Sequence, residues 1–517
     1  ITMRFAEMLK TDSMIYTENL RTADATNHYI FGEVEDVCWE PKFTFHGFRY
    51  VELTGLDYKP SPDDVKGKVL YSNIPQTGSI SSSSAMLNQI VENVNWGQRG
   101  NFLNLPTDCP QRDERLGWMG DAQVFVKLAA YNMDVAAFFN KWLLDVRDAQ
   151  GENGAFSSVA PRIVLPDDGS PAWGDAGVIV PWVLYQMYGD TSYLFENYEA
   201  MKGWISYIYD SNPDYLWKNN RNNDFGDWLS TNAVTHKELI GTAFFAYSTK
   251  LVAKSAKELS KTDDYTYYTN LFDSIKTAFQ TAYLSPEGKL TGDTQTAYVL
   301  ALQFGLLEVE QRPVALKHLT DDIAARNNHH STGFVGIGHL LPVLTENGHN
   351  DLAYTLIMNE TFPSLGYMVK NGATTIWERW DGYTEEKGFQ NPGMNSFNHY
   401  SLGSPAEWLY THAAGIIPAA PGFKEISIKP HPAKALNFLN VDYDSPYGKI
   451  SSHWNLEDDN LSMLVEIPAN TTATIFVPAG NIESDLNASE RYENYSIYKV
   501  GSGKYAFKGN YFPPKYQ

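Results

Sequence analysis

Between residues 86 and 416 the apolar side chains recur every three or four positions in one segment after another, and that periodicity limits the possible folds more than any motif does. Met86, Leu87, Ile90, Val91 and Val94 open the series. AQVFVKLAAYN, VAAFFNKWLLDVRDA, GVIVPWVLYQMYG, SYLFENYEAMKGWISYIY and LIGTAFFAYSTKLVAKSAKEL follow, then 263–282, 292–304, 309–326, 335–345, 349–358 and 403–416. These twelve helical segments show no short repeat of the solenoid kind. They pair most simply as six hairpins, which predicts a ring of six inner and six outer helices, an (α/α)6 toroid. Periodicity alone does not establish that the ring closes.

The flanks have a different period. Residues 1–75 carry short alternating runs such as FTFHGFRYVELTGL, broken by Gly, Asn and Pro, which predict strands. They are too few to cover both faces of a sandwich, so a partial N-terminal β-domain is expected, truncated or paired with strands elsewhere. The polar stretch QTGSISSSS (76–84) leads into the helical domain, 76–416. From 417 to 517, FKEISIKPHP, LNFLNVDYDS, GKISSHWNL, LSMLVEIPA and TATIFVPAG alternate again and predict a C-terminal β-sandwich. Three parts suit a chain of 517 residues.

Charge excludes some partners. With 61 acidic and 40 basic residues the formal charge is -21, which repels phosphate backbones and anionic lipid surfaces. No apolar run approaches the roughly 18 residues that a bilayer span needs. Neither nucleic acid nor a membrane is an expected partner, and the oligomeric state is not legible. The opening ITMRFAEMLK has no initiator Met, basic region or cleavage signature, so it reads as the start of a processed or truncated chain. Cys38 and Cys109 are too few for a disulfide framework or a zinc site, and whether they pair is open.

Chemistry concentrates in LPTDCPQRDERLGWMGDAQ. Arg112, Asp113, Glu114 and Arg115 stand between Pro106 and Pro110 on one side and Gly117, Trp118 and Gly120 on the other. A solvated charge run is the plain reading, and Asp121 is well placed to cap the helix that follows. Yet an arginine beside a carboxylate lowers its pKa and burial raises it, so a cluster of both signs can keep one carboxyl ionised and another protonated. Glycoside hydrolysis needs two such groups. In GATTIWERWDGYTEE, Glu378 lies between Trp377 and Trp380, where apolar surroundings are expected to raise its pKa and the indoles to wall a sugar; a bond to Arg379 is the alternative. PAWGDAGV adds Trp173 and Asp175, and DFGDWLS adds Asp227 and Trp228. Each could be a cap and a core aromatic, but the pairing of acid with indole recurs on four loops of one domain.

LPTDCPQRDERLGWMGDAQ, AWGDAG, GDWL, TTIWERWDGY and SFNHYSLGSPAEWLY, in this order, closely resemble the bacterial α-L-rhamnosidases of glycoside hydrolase family 78. FTFHGFRYVELTGL resembles the strand segment before that family's catalytic domain. The resemblance implies an inverting hydrolase of terminal α-L-rhamnosides in which Glu114 is the general acid and Glu378 the general base, with carboxyls roughly 6.5 to 9.5 Å apart. It implies that Asp108, Arg112 and Asp121 hold rhamnose hydroxyls, that Trp118, Trp173 and Trp228 form aromatic walls, and that His399 binds sugar. Asp175 and Asp227 join these as candidate substrate-binding residues. Met119 departs from the family pattern, where a small or hydroxylated residue is expected, and would alter the pocket wall. The family's further N-terminal β-domains are also missing.

Rhamnose-containing glycosides or oligosaccharides are the implied substrates, in the periplasm or outside the cell rather than in the cytoplasm. No cofactor is expected and no metal, since neither His-Glu-x-x-His nor a phosphate-cradling glycine loop is present. Another inverting (α/α)6 glycosidase, a polysaccharide lyase and a non-catalytic sugar-binding protein remain as alternatives at this point. Retention of both Glu114 and Glu378 speaks against the last.

Overall fold

The computed structural model describes residues 1–33, 37–163 and 168–514. Its helices are α1 (Ala85–Asn101), α2 (Met119–Asn132), α3 (Ala136–Asp148), α4 (Ala176–Tyr188), α5 (Ser192–Ser211), α6 (Lys237–Glu258), α7 (Thr262–Tyr283), α8 (Gln295–Phe304), α9 (Arg312–Ala325), α10 (Phe334–Glu346), α11 (Asn350–Ile357) and α12 (Leu365–Lys370). α2 packs on α4, α4 on α6, α6 on α8, α8 on α10 and α10 on the segment 401–406, which returns to α2. The ring therefore closes.

Burial explains which helices lie inside. α8 buries every residue but Gln303, as a helix surrounded by protein must. α9, on the outside, buries only Ala315, Leu319 and Ile323, a single stripe four residues apart. The sixth inner element differs from the helix expected over 403–416. It is a 3₁₀ turn at Ser401–Ala406 followed by a π-helical turn at Leu409–Ala413, and Pro405, which has no N–H to donate, lies inside the first. α12 was not predicted; six residues are too few to show a period.

At the N-terminus Thr2–Ala6 pairs with Thr26–His28 on one side and Tyr50–Thr54 on the other. Of FTFHGFRYVELTGL only that last stretch is strand, and His46 instead stacks on Phe5 with ring centroids 4.3 Å apart. The C-terminal part is two packed sheets. One runs Ile416–Pro418, Glu425–Ile428, Thr472–Val477, Ser496–Val500 and Glu490–Arg491 in spatial order. The other runs Ala479–Glu483, Gly503–Tyr511, Asn460–Ile467, Gly448–Glu457, Phe438–Ser445 and finally Gly78–Ser82. That last strand comes from the polar stretch before α1, with Ser82 opposite Leu439 and Gly78 opposite Tyr443. Gly78 is required there, because a Cβ would lie 2.2 Å from the Tyr410 hydroxyl and 2.4 Å from the Tyr131 carbonyl. Cys38 is exposed, Cys109 is buried, and the two are not bonded. Among the described residues no helix is long and apolar enough to cross a membrane.

Candidate active site

The inner elements begin on one face of the ring, and most of the expected site residues lie at those beginnings. Helix N-termini present unpaired N–H groups and the positive end of the dipole, so carboxylates are stabilised there. Asp121 sits in the first turn of α2, although it is not the cap; Trp118 holds that position without a side-chain bond. Asp121 Oδ1 instead accepts from Ser401 Oγ at 2.5 Å and lies 2.8 Å from His399 Nε2.

Arg112 is the centre of the charge arrangement. Its side chain is 1% exposed, with Nη2 2.7 Å from Glu114 Oε2 and Nη1 3.2 Å from Glu378 Oε2. Glu114 stays partly open, at 19%. Glu378 is buried and its Oε2 also accepts from the Ser396 N–H at 3.0 Å. Burial pushes the Glu378 pKa up, but His399 and Arg112 outweigh it and hold the carboxyl below its ordinary value. That corrects the rise expected from Trp377 and Trp380. Both indoles turn into the core: Trp377 packs edge-on against Phe397, and Trp380 donates to the Thr332 carbonyl and lies against His330. Arg379 pairs with Asp381 rather than with Glu378.

Asp108 is buried, with Oδ1 accepting from the Leu116 N–H and Oδ2 from the Cys109 thiol, each at 2.8 Å. Burial and then the Glu114 charge push its pKa up to about 7. His399 moves the other way from a typical buried histidine. Burial alone would lower it, but Asp121, then Glu378 and Asp108, raise it to about 9. Trp118, Trp173 and Trp228 all meet Phe225, with ring centroids 5.7, 4.5 and 5.8 Å from it. Gly120 admits the Trp173 ring, since a Cβ there would fall 2.3 Å from Cε2 of the indole.

Residues 75–413 match the family model of the bacterial alpha-L-rhamnosidase 6 hairpin glycosidase domain. The chain belongs to the bacterial α-L-rhamnosidase family. Residues 415–490 match that family's C-terminal domain and residues 1–71 its concanavalin-like domain. An alpha-L-rhamnosidase of Streptomyces avermitilis is 44% identical over 98% of this chain and 49% of its own length. One of Formosa agariphila is 44% identical over 95% of this chain and 54% of its own. The solved structure of the Streptomyces avermitilis alpha-L-rhamnosidase complexed with L-rhamnose superposes with a TM-score of 0.95 at 44% identity, covering 98% of this chain and 49% of that one. The chain thus spans about half the length of the curated relatives it matches.

Within this α-L-rhamnosidase fold, Asp175 and Asp227 are engaged by the protein itself rather than left open toward a ligand. Both are buried and their oxygens are taken. Asp175 accepts from Trp204 Nε1 (2.9 Å), Ser248 Oγ (2.6 Å) and the Ala172 N–H (2.8 Å). Asp227 accepts from Thr296 Oγ1 (2.5 Å) and the N–H groups of Gly333 (2.8 Å) and Val335 (3.1 Å). They tie inner helices together. Asp175→Ala is therefore expected to lower stability by about 3 kcal/mol, several hydrogen bonds to one buried charge, while leaving KM for substrate unchanged below the melting range. Urea unfolding and steady-state kinetics check the two halves; a KM rise without loss of stability would return Asp175 to the binding site. Met119, expected at the pocket wall, is fully buried in the core.

Two residues beside this cluster had no local signal, and a third had a weak one. Glu7 Oε2 accepts from Asn19, Gln111 and the Phe397 N–H, and burial pushes its pKa up to about 7. Arg21 reaches the QRDER loop from the N-terminal segment. Phe225 adjoins a motif that was recognised, GDWL, and its aromatic character was the available clue. Ligand atoms of Asp108, Cys109 and His399 come within 4.8 Å of one another. They suit a metal poorly: Cys109 is spent on Asp108, and burial pushes its thiol well above the usual range, away from the thiolate a metal needs.

Proposed function

We propose that this chain hydrolyses terminal α-L-rhamnosides with inversion, Glu114 protonating the glycosidic oxygen and Glu378 activating the attacking water. The observation that carries the reading is Arg112, one buried guanidinium in contact with both carboxyls. Those two contacts and the ~2.3 Å between guanidinium nitrogens put the two Oε2 atoms no more than roughly 8 Å apart, an upper limit compatible with the inverting range. The charge state of Glu378 supports its role as base. A base must be ionised, and His399 and Arg112 keep Glu378 so. The contacts to Glu114 fall on Oε2, leaving Oε1 to carry a proton toward the leaving group.

Sugar binding rests on the rest of the cluster. Arg112 Nε, Trp118 Nε1 and His399 Nδ1 are buried and have no protein hydrogen-bond partner, a cost of about 1–3 kcal/mol each that sugar hydroxyls would relieve. With Asp108 and Asp121 they supply donors and acceptors for ring hydroxyls. The indoles around Phe225 give an apolar wall for the C6 methyl of rhamnose, a contact that alone discriminates modestly. Rhamnose-containing glycosides or oligosaccharides are the substrates we assign, which suits an exported enzyme.

The test is release of rhamnose from p-nitrophenyl α-L-rhamnopyranoside followed by proton NMR. The β anomer is expected first; first appearance of the α anomer, or preference for a glucoside or mannoside, overturns the assignment. His399 supplies a pH prediction. Its raised pKa stabilises the fold fully below about pH 6.5, and that contribution is lost as pH rises through about 9. An NMR titration of the imidazole should show the charged form persisting well above pH 7 and the midpoint dropping in Asp121→Asn; a midpoint near 6.5 in wild type would refute it.

A further inference from the structure

Arg21 lies outside every motif, yet its guanidinium reaches the acid-bearing loop. Nε lies 2.6 Å and Nη2 2.5 Å from Asp113 Oδ1, Nη2 lies 3.3 Å from Glu114 Oε2, and Nη1 donates to the Gly393 carbonyl at 3.3 Å. Asp113 is gripped from the other side by the N–H and hydroxyl of Thr22. The backbone at Arg21 is held at φ 58 and ψ -115, a region that costs a non-glycine residue of order 1–3 kcal/mol and persists only where the surroundings enforce it. The side-chain contacts do the enforcing here. Every nitrogen of the guanidinium is engaged, although the side chain is 28% exposed.

We propose that Arg21 is a positioning residue for the general acid. The inference rests on the rhamnosidase reading above. Arg112 donates an N–H to Glu114 Oε2 and the Arg21 guanidinium lies 3.3 Å from the same oxygen, so two positive charges face Oε2 and disfavour a proton there. The proton is thereby assigned to Oε1. Asp113 offsets the Arg21 charge, so what Arg21 supplies to Glu114 is direction. In the reaction the proton leaves Oε1 for the glycosidic oxygen as the anomeric C–O bond breaks; the bonding pair stays with the departing oxygen and Glu114 ends as a carboxylate. A rotated carboxyl would misdirect that transfer without disturbing sugar binding.

The experiment compares two leaving groups in the full chain. p-Nitrophenolate departs with little protonation, whereas methanol does not. Arg21→Met is expected to lose about tenfold in kcat/KM on methyl α-L-rhamnopyranoside and less than about threefold on the p-nitrophenyl rhamnoside, with Arg21→Lys intermediate. The ratio of the two losses is read within one protein sample, so partial unfolding does not alter it. Arg4→Met, which removes the Arg4–Glu52 pair from the same N-terminal sheet, should leave the ratio at the wild-type value. Equal losses on both substrates, or none, overturn the positioning role alone. A wild type that cleaves neither rhamnoside overturns the rhamnosidase reading and this inference with it.

Discussion

Glu378→Gln is expected to reduce kcat on p-nitrophenyl α-L-rhamnopyranoside by about 10³-fold while KM stays within a few-fold, because removing a general base forfeits roughly 10² to 10⁴ of rate. The amide matches the carboxylate in shape, and its oxygen can still accept from the Ser396 N–H that now meets Oε2. What it cannot do is take a proton from water. An activated leaving group does not help, since the missing step is on the water side. Added azide, an anion that attacks without a base, should restore much of the rate and form the glycosyl azide of inverted configuration. A loss under tenfold would remove Glu378 from the chemistry. So would a retained-configuration azide.

Arg112→Met should be as damaging and also destabilising. The variant keeps the length of the side chain and removes the charge that Glu114 and Glu378 share. Breaking a buried ion pair by deleting one partner costs about 3–5 kcal/mol, since the other charge stays buried without compensation. In wild type the depressed Glu378 pKa contributes stability present above about pH 4.5 and lost as pH falls through its folded value. In the variant His399 remains but offsets burial less fully, so the ionised acid is less favoured than in wild type. The stability gap between the two proteins is therefore expected to be small near pH 4 and to widen toward pH 8, measured by urea unfolding across that range. Arg112→Lys should not rescue activity, because a single ammonium cannot replace a planar fork with one nitrogen on each carboxyl. A gap independent of pH would mean that Arg112 does not hold the charge on Glu378.

Sequence reading succeeded where the physics is local. A helix enclosed by protein announces itself by apolar residues all round, as α8 does, and an outer helix by one stripe, as α9 does. Loops that pair an acid with an indole fall together at one end of the ring. Failures came where the determining partner is distant. Glu378 was judged by its neighbours in the chain, Trp377 and Trp380, but its charge is set by Arg112 and His399 from across the fold. Asp175 and Asp227 share the local signature of the site acids; only the distant donors around them, from Trp204 and Ser248 in one case and Thr296 and Gly333 in the other, reveal that their oxygens are taken within the protein. Glu7 meets Phe397 across 390 positions and Arg21 meets Asp113 across 92, separations at which pattern carries no information.

The strand Gly78–Ser82 has a bearing on biosynthesis. It is the outermost member of its sheet, and its partner is far along the chain, with Ser81 and Asn440 separated by 359 positions. At the ordinary pace of translation, about 5 to 20 residues per second, the ribosome needs roughly 20 to 70 s to supply that partner. Throughout this interval three serines and an isoleucine wait as a polar tether that offers little for aggregation. The early strand then completes the late sheet, so a C-terminal fragment cut at residue 417 would leave Phe438–Ser445 as a bare edge inviting other chains. A polar, unremarkable stretch of sequence thus makes the order of synthesis part of how the molecule is assembled.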